Sequence, residues 1–150
     1  SNMKVTCLRL ANIYGPGMRT NMVIPQLVEK AFSGEPFTMH GDGTAARDYL
    51  NILDLVDAII LTLGLDSKFE ILNIGSGRST EVRELVGLVQ RITGRNIRIE
   101  SSKDNPTQDK KLYMDVSKAK RVLGWQPNIG LEEGIKRYTD WYRSASAQIL

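Results

Sequence analysis

The sequence predicts an α/β fold. Short runs rich in β-branched and apolar residues, such as 4–10 and 70–74, read as strands. Stretches such as 82–92 carry apolar residues at helical spacing. Glycine-bearing turns separate the two kinds of segment, and strands and helices are mixed along the chain rather than grouped in blocks.

Residues 4–10 alternate and contain Val, Thr and Leu, which predicts a strand closed by the loop Gly15-Pro16-Gly17. Ile24, Leu27, Val28 and Ala31 recur at helical spacing, with Pro25 tolerated in the first turn and Gly34 as a stop. Residues 37–39 and 49–52 read as short strands around the turn Gly41-Asp42-Gly43. A helix over 54–63 is apolar on most faces and is therefore expected to be buried. Residues 70–74 form a strand closed by Gly75-Ser76-Gly77. The following helix has Ser79 or Thr80 as its cap, Glu81 and Glu84 at its positive end and Gly94 at its C-terminus. Its apolar stripe is Val82, Leu85, Val86, Val89 and Ile92. Residues 97–99 read as a strand, 101–111 as a polar loop and 112–114 as a further strand. Helices over 117–123, stopped by Gly124, and 131–145 complete the chain, the last carrying Trp141 and Tyr142.

The 150 residues suffice for one compact domain, and neither a repeat nor a linker divides them. A net charge of +3 is too mild to imply nucleic acid, and no apolar run approaches the roughly 20 residues of a membrane span. No signal peptide is visible. Cys7 cannot pair internally, which fits a reducing cytoplasm, and one Cys with one His leaves no zinc cluster. Cys7 is expected to be buried filler in its strand and His40 an ordinary, semi-exposed residue. Ser1 and Asn2 before Met3 read as the remnant of a cleaved expression tag.

Four segments carry more. They are Arg9-Leu10-Ala11-Asn12-Ile13-Tyr14-Gly15-Pro16; Gly41-Asp42-Gly43 with Arg47-Asp48-Tyr49 and Asp54; Leu72-Asn73-Ile74-Gly75-Ser76-Gly77; and Asp115-Val116-Ser117-Lys118-Ala119 with Leu123-Gly124-Trp125-Gln126-Pro127. In this order and spacing they resemble the extended short-chain dehydrogenase/reductase family, the NAD-dependent nucleotide-sugar epimerases and dehydratases. The resemblance implies that residues 4–150 are a C-terminal, substrate-binding portion. It would comprise the last strands and helix of a Rossmann-like parallel sheet plus a small subdomain that clamps a UDP-, GDP-, CDP- or dTDP-sugar. It also implies NAD or NADP as cofactor of the intact enzyme, a 4-epimerase or 4,6-dehydratase reaction, and a homodimer formed through the absent half. The family's glycine turn for the cofactor and its catalytic Tyr-x-x-x-Lys do not occur here: Tyr14 meets Met18, Tyr49 meets Leu53 and Tyr113 meets Ser117. Both would lie upstream, so the chain alone is expected to be inactive and not to hold NAD tightly. The alternative is a stand-alone module that binds nucleotide sugars or a partner without catalysis.

The resemblance implies that Arg47 contacts the nucleotide diphosphate, and a guanidinium fork suits that task. A structural arginine paired with Asp48 is the other possibility. Asn12 stands where a strand end meets a glycine loop, and its amide can reach a ligand or hold the loop backbone. Leu10 and Ala11 are, by resemblance, a wall near the nicotinamide, and otherwise plain strand core. Asn105 falls where the family often has a second arginine on the diphosphate. It supplies no charge, and Lys103 is the available substitute. Ala45 likewise replaces a common glutamine. Trp125 and Pro127 are expected to pack the C-terminal part.

Overall fold

The computed structural model describes residues 3–102 and 111–147. Seven strands and five helices follow in the order β1 (Val5–Leu10), β2 (Asn12–Tyr14), α1 (Val23–Ser33), β3 (Phe37–His40), β4 (Ala46–Asn51), α2 (Ile52–Thr62), β5 (Phe69–Ile74), β6 (Ser79–Glu81), α3 (Val82–Thr93), β7 (Ile99–Ser102), α4 (Ser117–Leu123) and α5 (Leu131–Ala147). The fold is α/β with mostly parallel pairing: β1 with β5, β2 with β4 and β3 with β7 are parallel, and only β4 with β6 is antiparallel. β4 is the hinge of the arrangement, because it sits between β2 and β6.

Two hydrophobic cores result. One gathers Leu27 and Val28 of α1, Leu85 and Val89 of α3, and Ile135 and Tyr138 of α5 around Tyr14 and Phe37. The other packs Leu72 and Ile74 of β5 and Leu50 of β4 against Leu55, Ala58, Ala119 and Trp125. The predicted stripe of α3 supplies the first core, with Gly94 closing that helix in the left-handed conformation at φ 66°. Trp125 is buried and its indole Nε1 donates to the Asp54 carbonyl at 3.0 Å. The Asp54 carboxylate accepts from the N–H groups of Asn128 (2.9 Å) and Ile129 (3.1 Å), so one buried acid pins the 125–129 segment to the start of α2.

Several local expectations are corrected. The cap of α3 is Glu81, whose side chain and that of Glu84 satisfy each other's backbone N–H in a capping box. Ser79 and Thr80 are spent instead on β6, which pairs with Asp48 and Arg47 of β4. Residues 112–114 are not a strand; Lys111 bridges to Ala46, and Leu112 and Tyr113 beyond it stay exposed. β7 begins two residues later than expected, where its pairing with Phe37 of β3 starts, and runs to Ser102, into the stretch expected to be loop. α2 is not buried all round. Asp54, Leu55 and Ala58 face inward, but Leu53, Val56, Ile59, Ile60, Leu61 and Leu63 are exposed, Leu63 at 82%. Cys7 is exposed as well; among the described residues β1 and β5 form a sheet of two strands, and Val5, Cys7 and Arg9 on one side of β1 all stand open. A parallel pair with an open face and apolar residues on it is unusual, for parallel sheets are ordinarily covered on both sides.

Candidate functional site

The chain leaves β1 at Leu10, passes through Ala11, whose N–H donates to the Ile74 carbonyl at 2.9 Å, and re-enters pairing at Asn12 opposite Tyr49. That short step moves the chain from the β1–β5 sheet to the β2–β4–β6 sheet. A cavity of about 340 Å³ opens at the step, within the size range of small-ligand sites. Leu10, Ala11 and Asn12 line one side, Arg47 and Asp48 of β4 another, and Leu112, Tyr113 and Met114 a third. The structure therefore brings Leu10, Ala11, Asn12 and Arg47 to one cavity. Asn105 and Lys103 lie outside the described residues. His40 is exposed at the end of β3 and does not line the cavity.

Arg47 and Asp48 are successive residues of β4 and so alternate across the strand. Arg47 is exposed, and its Nη1 donates to the Ala46 carbonyl at 2.8 Å. Asp48 is 3% exposed. Its Oδ1 accepts from Ser76 N (2.8 Å) and Ser76 Oγ (2.6 Å), and its Oδ2 from Gly77 N (3.1 Å) and Met114 N (3.0 Å). The glycine loop that ends β5 thus closes around an internal carboxylate.

The residues that sequence reasoning missed are Asp48, Leu112, Tyr113 and Met114. The last three read as a strand; the Lys111 bridge to Ala46 and the bond from Met114 to Asp48 make them a wall. Tyr14, Tyr49 and Tyr138 are shifted away from proton abstraction near neutral pH. Burial pushes Tyr14 up to about 12, partly offset by the amide of Asn51 beside it. Burial also raises Tyr49 and Tyr138. Among the described residues there is no cluster of His, Cys, Asp and Glu that could hold a metal ion, and no helix is long and apolar enough to cross a membrane.

Comparison with known proteins places relatives beside this geometry. Residues 1–138 match the family model described as GDP-mannose 4,6 dehydratase. UDP-glucuronate 4-epimerase of Thermodesulfobacterium geofontis is 31% identical over 140 residues, which cover 93% of this chain and 43% of that protein. The structure of UDP-glucose 4-epimerase from Thermotoga maritima with UDP-glucose superposes with a TM-score of 0.87 at 35% identity, covering 94% of this chain and 46% of that one. MoeE5 in complex with UDP-glucuronic acid and NAD gives a TM-score of 0.88 at 34% identity, covering 95% and 48%. The chain thus spans less than half the length of the relatives it matches.

Proposed function

The chain belongs to the GDP-mannose 4,6-dehydratase family of NAD-dependent nucleotide-sugar epimerases and dehydratases, and from that premise we propose that it is the nucleotide-sugar-binding portion of such an enzyme. The observation that carries this reading is the cavity at the β1-to-β2 step, where apolar Leu10 and Ala11, the amide of Asn12 and the guanidinium of Arg47 converge. An apolar wall with a few polar groups at its mouth suits a sugar attached to a diphosphate. Arg47 would take the phosphates, Asn12 a sugar hydroxyl or phosphate oxygen, and Asn105 would add a neutral hydrogen bond where relatives carry a charge.

The Gly75-Ser76-Gly77 loop does not fit a pyrophosphate, because the N–H groups of Ser76 and Gly77 are engaged by Asp48. What this chain offers NAD or NADP is the wall made by Leu10 and Ala11. When bound, the cofactor accepts and returns a hydride at a sugar carbon. The residues of this chain hold the sugar in place, exclude water with the apolar wall and fix which carbon faces the cofactor. Such positioning is worth several kcal/mol of barrier. The pyrophosphate cradle and the proton-abstracting tyrosine belong, in this reading, to the part of the enzyme outside these residues.

The exposed apolar face of α2 and the open sides of the β1–β5 pair support the reading, since they are surfaces a neighbouring layer would cover. The test is the native reading frame. It should encode a glycine-rich turn and a Tyr-x-x-x-Lys pair ahead of Met3. A stop codon and ribosome site directly before Met3 would contradict the proposal and favour a non-catalytic binding module.

A further inference from the structure

A buried carboxylate is a costly way to tie a loop. Removing its charge from water must be offset by several donors. Asp48 meets that condition with four: Ser76 N, Ser76 Oγ, Gly77 N and Met114 N, all between 2.6 and 3.1 Å. An ionised carboxylate can accept from all of them at once, whereas an asparagine would turn an NH₂ toward two donors. Three of the four donors lie on the loop after β5. The fourth, Met114, comes from a segment 66 residues away in sequence that forms one wall of the cavity. Space for this contact is reserved by Gly75. A Cβ there would stand 2.6 Å from Asp48 Oδ2 and 2.8 Å from Met114 Cβ. The motif Gly75-Ser76-Gly77 is therefore shaped to hold an internal anion and a crossing chain, not an external phosphate.

We propose that Asp48 is the positioning residue of this cavity: by tying Met114 to the β5 loop it fixes the inner end of the Leu112–Met114 wall, whose outer end is seated beside Ala46 of β4 by the Lys111 bridge. The proposal rests on the reading of the cavity as a nucleotide-sugar site. Asp48 need not touch the ligand for this role; it acts through Met114. Successive residues of β4 divide the work: Arg47 is exposed at the cavity, and buried Asp48 anchors Met114.

The experiment uses the chain itself, with Asp48→Asn, Gly75→Ala, the two together, and a variant in which the Met114 amide is replaced by an ester, deleting that one N–H. Amide hydrogen exchange is followed without ligand, and UDP-glucose affinity is measured well below the melting temperature. Asp48→Asn should speed exchange at Ser76, Gly77 and Met114 while leaving the amides of α3 and α5 as in the parent. UDP-glucose affinity should fall roughly ten-fold. Gly75→Ala should reproduce both effects, and the double variant should lose less than the product of the two, since both act through one contact. The ester variant should lose affinity with the carboxylate intact, which keeps the test informative if Asp48→Asn fails to fold. Unchanged exchange at Met114 in Asp48→Asn would overturn the proposal. So would faster exchange with parental affinity, for then Asp48 is only a structural tie. If the parent chain itself binds no UDP-glucose, the reading of the cavity fails, and the role assigned to Asp48 fails with it. A Met114 amide that remained Asp48-dependent would then mark a tie within the fold alone.

Discussion

Replacing Arg47 by alanine in the full-length enzyme removes a guanidinium that lines the cavity. Its side chain is exposed, and its Nη1 donates to the Ala46 carbonyl of the same strand. A surface change of this kind moves stability by about 0.5 kcal/mol or less. A charge-assisted hydrogen bond to phosphate is worth about 1.5–3 kcal/mol, and each 1.4 kcal/mol is about ten-fold in affinity. Arg47→Ala should therefore weaken nucleotide-sugar binding roughly ten- to a hundred-fold with a nearly unchanged melting temperature. Arg47→Lys should recover only part of the loss, since an ammonium lacks the planar fork. Isothermal titration of parent and variants with a panel of UDP-, GDP-, CDP- and dTDP-sugars reads both the affinity and the preferred nucleotide. If Arg47→Ala binds its best ligand as tightly as the parent, the phosphate contact is wrong, and with it the orientation of the ligand in the cavity.

Two further outcomes follow from the packing. Gly134→Ala should destabilise the chain in spite of alanine's better helix propensity, worth about 1 kcal/mol. A methyl there falls on the Tyr14 hydroxyl and within 2.9 Å of Asn51 Nδ2, and overpacking of that kind costs about 1–3 kcal/mol. A variant more resistant to urea than the parent would contradict the fit of α5 against β2 and β4. The chain alone should self-associate through the apolar side of α2, and the pair Ile60→Glu with Leu63→Glu should reduce this in light scattering without loss of circular dichroism. Association unchanged by both charges would place the sticky surface elsewhere.

Much of the fold was legible because local signals and tertiary packing agree. The stripe of α3, the glycines at 34, 94 and 124 that end α1, α3 and α4, and the β1 and β5 strands all appear where spacing and turn chemistry put them. The short strands β2 and β6 were not legible. Three residues carry no period, and each exists only because β4 lies beside it. The same cause extends β4 back to Ala46 and carries Arg47 out of the turn and into a strand. Cys7 and α2 mislead for a different reason. Apolar character says that a surface wants cover, not that the described chain supplies it; Cys7, Ile60 and Leu63 stand open on surfaces with no neighbour among the described residues. At the cavity, Leu10, Ala11, Asn12 and Arg47 were marked by motifs. The Leu112–Met114 wall was hidden, because its placement depends on contacts distant in sequence: the Lys111 bridge to Ala46 and the bond from Met114 to Asp48 across 66 residues.

The measurement that bears most directly on the central claim is a paired titration of the pure chain, first with the nucleotide-sugar panel and then with NAD, followed by product analysis of each mixture. The account predicts that a nucleotide sugar binds, that NAD is not held tightly and that no epimer or 4-keto sugar forms. Tight NAD binding or measurable turnover by these residues alone would contradict it, since the cofactor cradle and the proton-abstracting tyrosine would then have to lie within this chain.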